Sequence, residues 1–412
     1  MRTRFLSAPF GLCVLGAVAW ACACGGRAVG GDDAGGAATD AAAAGPDAGA
    51  IDAGAGGDAG GSMDTGPKEQ SPYHAFYEAV RESVWAFPFE SGDWSADLGD
   101  AAYYGLAFYV NAGKAEDRTD YLARARQARQ RNLTVIRAAN DDISYLMNNL
   151  EEGLMAELGL IEYMAVAGDT NNLQHIDAFL DNVNGLVDSM GPYLEIDVES
   201  WALKTYGPTT ITGVVALMNL RYAELLKNER AAERLEFGKK LIAVIDEKVW
   251  TGTFYRFSTT IDRVDLYPNV MMIIADAVAF KLTGDAAYKS KCLSVYEAIQ
   301  PLKYDFRKGY YSQYSAEAMG AKTDDYTTLS SQNYAIMAMA MLFDITGDAK
   351  FKAEIVDLVS FIHDKLWVDG RLLHHWMDGR VAIPEDFEYF CSGCNLQFLY
   401  VIWYVERYLY GY

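Results

Sequence analysis

The chain has 412 residues, 51% of them hydrophobic and 13% aromatic, which excludes a largely disordered protein because such chains lack apolar surface to bury. Lys plus Arg number 35 against 56 Asp plus Glu, a formal net charge of −21 that offers no basic footprint for a nucleic acid. Acidic groups among 27 Tyr, 18 Phe and 8 Trp suit sugars, since carboxylates bind hydroxyls and aromatic faces stack on pyranose rings; a plain acidic helical protein fits the same composition.

The start, MRTRFLSAPFGLCVLGAVAWACACGG, has basic residues, an apolar stretch and then small residues. Residues 1–23 therefore read as a lipoprotein-type export signal, too short for a comfortable membrane span. Cys24 follows Ala23 and is the expected lipidation site, with Cys22 after Ala21 as the alternative. Residues 24–70 are nearly all Gly, Ala and Asp and cannot form a core, so they are expected to be a disordered linker. The folded domain is expected to span 71–412. Export to the cell envelope follows, with a lipid anchor in the outer membrane as the sole membrane contact, or simple cleavage and release into the periplasm or medium as the alternative, and the folded domain is expected to be a monomer.

From residue 71 the pattern predicts an all-α domain of about twelve helices, at 73–86, 98–113, 118–138, 151–168, 172–189, 208–227, 230–249, 266–283, 285–299, 328–346, 349–366 and 392–410. The turns VAGDTNNL, LTGDAAYK and ITGDAKFK share one logic: Gly stops one helix and Asp caps the next, so the two are antiparallel. Segments such as NVMMIIADAVAF, NYAIMAMAMLF and LQFLYVIWYV are apolar nearly all round, which predicts burial on every side. They alternate with helices that carry a charged face. Inner helices alternating with outer ones predict a closed (α/α)6 toroid rather than an open solenoid. The inner-to-outer turns are short. The outer-to-inner loops are long, and three of them, WTGTFYRFSTT, DFRKGYYSQYS and WVDGRLLHHWMDGRV, read as small β-hairpins decorating one working face.

This hairpin rhythm resembles the six-hairpin glycosidase superfamily. TTLSSQNYAIMAMAMLFDITGDAKFKAEI resembles a repeated unit of N-acylglucosamine 2-epimerase-like proteins. LLHHWMDGRVAIPEDFEYF resembles the hairpin and inner helix of their thioredoxin-domain relatives, where paired acids and Tyr precede an apolar helix; Glu385, Asp386, Glu388 and Tyr389 fill that region here. The group spans hydrolases, epimerases, lyases and proteins without activity, so the resemblance implies a fold and a carbohydrate ligand more than one reaction.

Reacting groups in such a ring are expected where inner helices begin. Glycoside hydrolysis needs two carboxylates, and Asp325 is the leading candidate, with Asp97, Glu152 and Asp265 as partners from other inner-helix starts. Capping alone accounts for an acid at any one of these positions. Asp141-Asp142 resembles the paired aspartates of bacterial endo-mannanases of this fold, but ISYLMNNL lacks the aromatics that follow there. Trp94, Trp201, Tyr206, Tyr267, Tyr326 and Trp376 are candidate sugar platforms, and His375 and Glu388 candidate polar contacts. His374 and His375, read as consecutive strand residues, are expected on opposite sides; without a second pocket histidine on another inner helix, the two-histidine arrangement of the epimerases is not reproduced. Cys391 and Cys394 are expected to form a local disulfide in an exported protein. The zinc–cysteine β-L-arabinofuranosidases have a similar barrel, but their further Glu-x-Cys has no counterpart in TTLSSQN, so no metal or other cofactor is expected. The reading is a surface-tethered glycoside hydrolase using carboxylate acid–base catalysis; a non-catalytic glycan-binding lipoprotein and a sugar epimerase or isomerase are the alternatives.

Overall fold

The computed structural model describes residues 71–85, 101–142, 150–190, 211–256, 263–304, 308–311, 313–315, 326–377 and 392–411. Among them are twelve α-helices: α1 His74–Trp85, α2 Leu106–Ala115, α3 Thr119–Asp141, α4 Leu150–Ala167, α5 Leu173–Met190, α6 Ile211–Leu226, α7 Ala231–Val249, α8 Leu266–Thr283, α9 Ala286–Ile299, α10 Leu329–Thr346, α11 Lys350–Leu366 and α12 Ser392–Leu409. A π-helical turn, Ala101–Gly105, leads into α2.

The even-numbered helices form the inner ring. α2 packs on α4, α4 on α6, α6 on α8, α8 on α10 and α10 on α12; α12 then meets α2 and its π-turn, which closes the circle. α8 is buried continuously from Pro268 to Ala279 and α10 from Leu329 to Leu342, as all-round apolar sequences require. The odd-numbered helices surround them and turn their charged faces to water.

The Thr-Gly-Asp triplets build two superimposable turns. Gly284 and Gly347 both sit at φ 71, and their N–H groups reach back to the Phe280 and Phe343 carbonyls, each at 2.7 Å. Asp285 then accepts from Ala287 N and Asp348 from Lys350 N, both at 2.9 Å. Such turns leave no slack, so the inner helices all run from one end of the ring, the loop end, to the far end.

The sixth hairpin joins the two ends of the domain. Outer α1 packs on inner α12, Ser71 Oγ donates to Glu406 Oε1 at 2.6 Å, and the Tyr73 and Tyr410 rings meet edge to face at 6.1 Å.

Three two-stranded sheets decorate the loop end: β1 Arg263–Asp265 with β2 Gln313–Ser315, β3 Tyr326–Thr328 with β6 His375–Met377, and β4 Trp367–Val368 with β5 Arg371–Leu372. All pair antiparallel. Each loop read as a hairpin folds back locally, through the Trp250–Tyr255 bridge, the Lys303–Tyr310 bridge or β4–β5. The β1–β2 and β3–β6 pairs add something periodicity could not show: they tie together loops that precede different inner helices.

Candidate active site

The inner helices deliver tyrosines to the ring axis. Tyr104 and Tyr334 belong to the α2 turn and to α10, which α12 separates in the ring, yet their centroids lie 6.0 Å apart. They therefore meet across the axis. Tyr400 of α12 lies 5.9 Å from both Tyr103 and Tyr104, and Tyr267 at the start of α8 meets Tyr334 edge to face at 4.8 Å. Tyr104, Tyr334 and Tyr400 are buried, whereas Tyr103 and Tyr267 are half-buried. A π-helical turn carries the two adjacent tyrosines, and such turns recur at functional sites.

Beneath this layer a polar column runs toward the far end. The Tyr103 and Tyr400 hydroxyls are hydrogen-bonded, and Tyr400 donates to Glu162 Oε1 at 3.3 Å. Glu162 also accepts from Asn111 Nδ2 at 3.0 Å and Arg221 Nη2 at 2.8 Å. Arg221 pairs in turn with Glu224; Glu224 meets Lys281 Nζ at 3.5 Å, and Lys281 meets Asp344 at 2.9 Å. Every inner helix contributes a member. Burial pushes the Tyr103 phenol up to about 12, with the Glu162 charge adding to it, so both column tyrosines hold their protons at neutral pH. Burial opposes the Arg221 charge, but Glu224 and Glu162 more than offset it and keep the guanidinium firmly protonated.

At the loop end, Asp265 closes β1 opposite Gln313 and immediately precedes α8. Its side chain is buried, and it makes no capping bond to that helix. Thr328, the equivalent residue before α10, does cap, accepting from Ser331 N at 3.1 Å. The capping explanation therefore fails for Asp265. A carboxylate beside a helix N-terminus also feels the favourable end of the peptide dipoles. Glu152 falls in the first turn of α4, another inner-helix start.

His374 departs from the sequence expectation. It occupies the bend before β6 rather than the strand, so strand alternation does not separate it from His375. The two imidazoles touch, with Nδ1 to Nδ1 at 2.6 Å, and both rings are buried. Two nitrogens that close cannot both carry protons, so at least one imidazole is an acceptor on that side. The His374 carbonyl accepts from Leu329 N at 2.8 Å and so satisfies the first amide of α10.

The remaining sequence candidates fall as follows. Trp376 is half-buried, edge-on to Tyr304 at 5.0 Å and Phe361 at 5.5 Å, with Lys365 Nζ over its ring; its neighbours are the outer wall. Tyr326 begins β3 opposite Met377. Cys394 is buried at the start of α12. Cys24, Trp94, Asp97, Trp201, Tyr206, Asp325, Glu388 and Cys391 lie outside the described residues. Among the described residues no group of three or more His, Cys, Asp and Glu is placed to hold a metal ion. Sequence reasoning passed over Glu162, Arg221 and Tyr400. A charge inside LGLIEYMAVA or LMNLRYAELL was the available signal, because a charge on an all-round apolar helix must find a buried partner.

No family model and no curated protein matches the sequence. Solved structures do match. A D-mannose isomerase aligns with TM-score 0.61 at 13% identity, over 81% of this chain and 98% of its own. The cellobiose 2-epimerase of Bacillus thermoamylovorans aligns with TM-score 0.54 at 14% identity, over 79% and 99%. An α-mannanase of Bacteroides thetaiotaomicron aligns with TM-score 0.56 at 11% identity, over 80% and 94%. At such identities the likeness speaks for architecture, and it agrees with the closed ring built above: the chain has the six-hairpin glycosidase-like fold, an (α/α)6 toroid.

Proposed function

We propose that the chain is an exported, surface-tethered carbohydrate-active protein, and that it is a glycoside hydrolase acting through carboxylate general acid–base catalysis. The observation that carries the carbohydrate reading is the tyrosine layer across the axis. Half-buried phenol rings above buried ones offer faces and edges to a pyranose, whose C–H groups favour the electron-rich face of an aromatic ring. Hydrolysis is supported by Asp265, a buried carboxylate at an inner-helix start that is not used for capping. Asp325, Asp97 and Glu152, at or just before other inner-helix starts, are its candidate partners. In this reading Cys24 carries a lipid, residues 24–70 form a spacer, and the protein works as a monomer on a glycan.

A second reading, sugar epimerisation or isomerisation, is favoured by one observation, the touching His374 and His375 imidazoles beside the start of α10. Such a pair can accept a proton at one nitrogen and release one at the other.

The full-length chain should be incubated with D-mannose, D-glucose, cellobiose and manno-oligosaccharides and followed by reducing-end assay and proton NMR. New reducing ends are expected. New sugar signals without new reducing ends would favour the second reading. Binding without turnover would leave a glycan-binding protein, and neither binding nor turnover would reject the carbohydrate reading.

A further inference from the structure

Three of the sets of buried amide side chains near the loop end differ in how fully they are used. Asn269 donates to the Tyr255 and Asp265 carbonyls and accepts from Tyr255 N, all at 2.9 Å. Gln332 donates to Tyr310 O at 2.9 Å and Thr327 Oγ1 at 2.7 Å, and accepts from Tyr310 N at 3.1 Å. Both are saturated, and both hold loop backbone against an inner helix.

The third set is the pair Asn333 and Gln397, on α10 and α12. Asn333 Nδ2 donates to the Cys394 carbonyl at 2.9 Å and to Gln397 Oε1 at 3.2 Å. The Cys394 carbonyl can only accept, which fixes the Asn333 amide with its nitrogen toward α12. That nitrogen then fixes Gln397 with its oxygen toward Asn333. What remains is Asn333 Oδ1, an acceptor, and Gln397 Nε2, a donor. Both side chains are 0% exposed, and neither atom has a partner among the described residues. Each such atom costs about 1–3 kcal/mol if left unsatisfied, so the arrangement is expensive unless something completes it.

The pair also has a defined level in the ring. Gln397 lies one turn nearer the loop end than Tyr400 on the same helix face, and Asn333 directly precedes Tyr334. Tyr400 and Tyr334 both belong to the axial tyrosine layer. The two open amide atoms therefore stand just on the loop side of that layer.

We propose that Asn333 and Gln397 together bind one hydroxyl group of a pyranose, which donates to Asn333 Oδ1 and accepts from Gln397 Nε2. One open acceptor and one open donor on two side chains joined by a hydrogen bond match a hydroxyl; a carboxylate could use only the donor and an ammonium only the acceptor. The pair thereby sets which sugar the proposed site prefers. The inference rests on the carbohydrate reading above and adds to it a residue pair and a single recognised hydroxyl.

The test uses the full-length chain with D-mannose, D-glucose and their monodeoxy analogues, each lacking one hydroxyl, in calorimetric titrations. The wild-type protein is expected to bind one analogue at least about tenfold more weakly than the parent sugar, because its loss leaves both amide atoms open. Gln397→Met, nearly equal in volume, is expected to weaken the parent sugar and remove discrimination against that analogue. If every analogue binds the wild type like its parent, or if folded Gln397→Met keeps the discrimination, the pair holds a resident water only and the inference falls while the carbohydrate reading stands. Should Gln397→Met not fold, Asn333→Leu, which removes the acceptor, is read in its place by the same two outcomes. If neither parent sugar binds at all, the carbohydrate reading fails and this inference with it.

Discussion

Ser71 and Glu406, 335 residues apart, are joined by a 2.6 Å hydrogen bond that latches the first residues of the domain onto its last helix. His74 Nδ1 lies 3.0 Å from the same carboxylate, and both Ser71 and Glu406 are buried. The ring is thus closed by side chains as well as by packing.

Replacing Glu406 with Ala should destabilise the domain by about 2–4 kcal/mol, since two buried or half-buried donors lose their acceptor. Glu236→Ala, which breaks an exposed pair with Lys239, should cost under about 1 kcal/mol and serves as the control. Urea unfolding monitored by tryptophan fluorescence measures both. A single transition with unchanged slope is expected; two separated transitions would contradict a closed ring.

Gly309 and Gly252 make a matched pair. Both have positive φ, at 90 and 99, but a Cβ on Gly309 would lie 2.5 Å from Phe361 Cγ, whereas one on Gly252 would meet nothing within 4 Å. Gly252→Ala should cost about 1–2 kcal/mol in backbone strain, and Gly309→Ala a further 1–3 kcal/mol for the forced shift of Phe361. Equal losses in thermal unfolding would refute the packing argument.

Glu157 of α4 is 0% exposed, and neither carboxyl oxygen has a hydrogen-bond partner among the described residues. Burial pushes its pKa well above the ordinary value of 4.5; the Asp177 charge adds to this, and Arg234 opposes it. A raised folded-state pKa gives a contribution that is full below the unfolded value and lost as pH rises through the folded one. Glu157→Gln should therefore match wild type near pH 4 and exceed it in melting temperature near pH 8. A variant less stable than wild type at pH 8 would show that the ionised carboxylate has a partner.

Burial also raises the Cys292 thiol well above its usual range, so it should react slowly with Ellman's reagent in the native protein. In unreduced, denatured protein restricted to residues 71–412, one reactive thiol is expected if Cys391 and Cys394 are bridged. Three would reject the disulfide.

For the chemistry, Asp265→Asn and Asp325→Asn should each lower turnover about 100-fold or more with folding intact, the usual scale for loss of an acid–base group. Wild-type rates in either variant would exclude that residue as the acid, and wild-type rates after single substitution of all four acids, Asp97, Glu152, Asp265 and Asp325, would exclude the carboxylate mechanism.

The ring was legible because its signals are periodic. All-round apolar runs such as NYAIMAMAMLF and repeated Thr-Gly-Asp turns each imply one local geometry, and helix placement followed within a few residues. Pairing across loops was not legible, because β1 and β2 are three residues each and their partners lie some fifty residues away. The tyrosine layer was half visible. Tyr267 stood out before an apolar helix, but Tyr334 and Tyr400 looked like ordinary core until contacts across the axis gave them a shared place. His374 was misplaced because a bend, invisible to alternation, intervenes before β6.

The latch at Glu406 also fixes where the preceding chain departs. Outer α1 runs toward the loop end, so Ser71 enters the domain at the opposite end, beside Tyr410 and the last turn of α12. Anything attached through residues 1–70 is thus joined to the back of the toroid. The loop end, where the proposed site lies, is therefore on the opposite side of the domain from the point of attachment, and a fusion partner placed before residue 71 should leave ligand binding undisturbed.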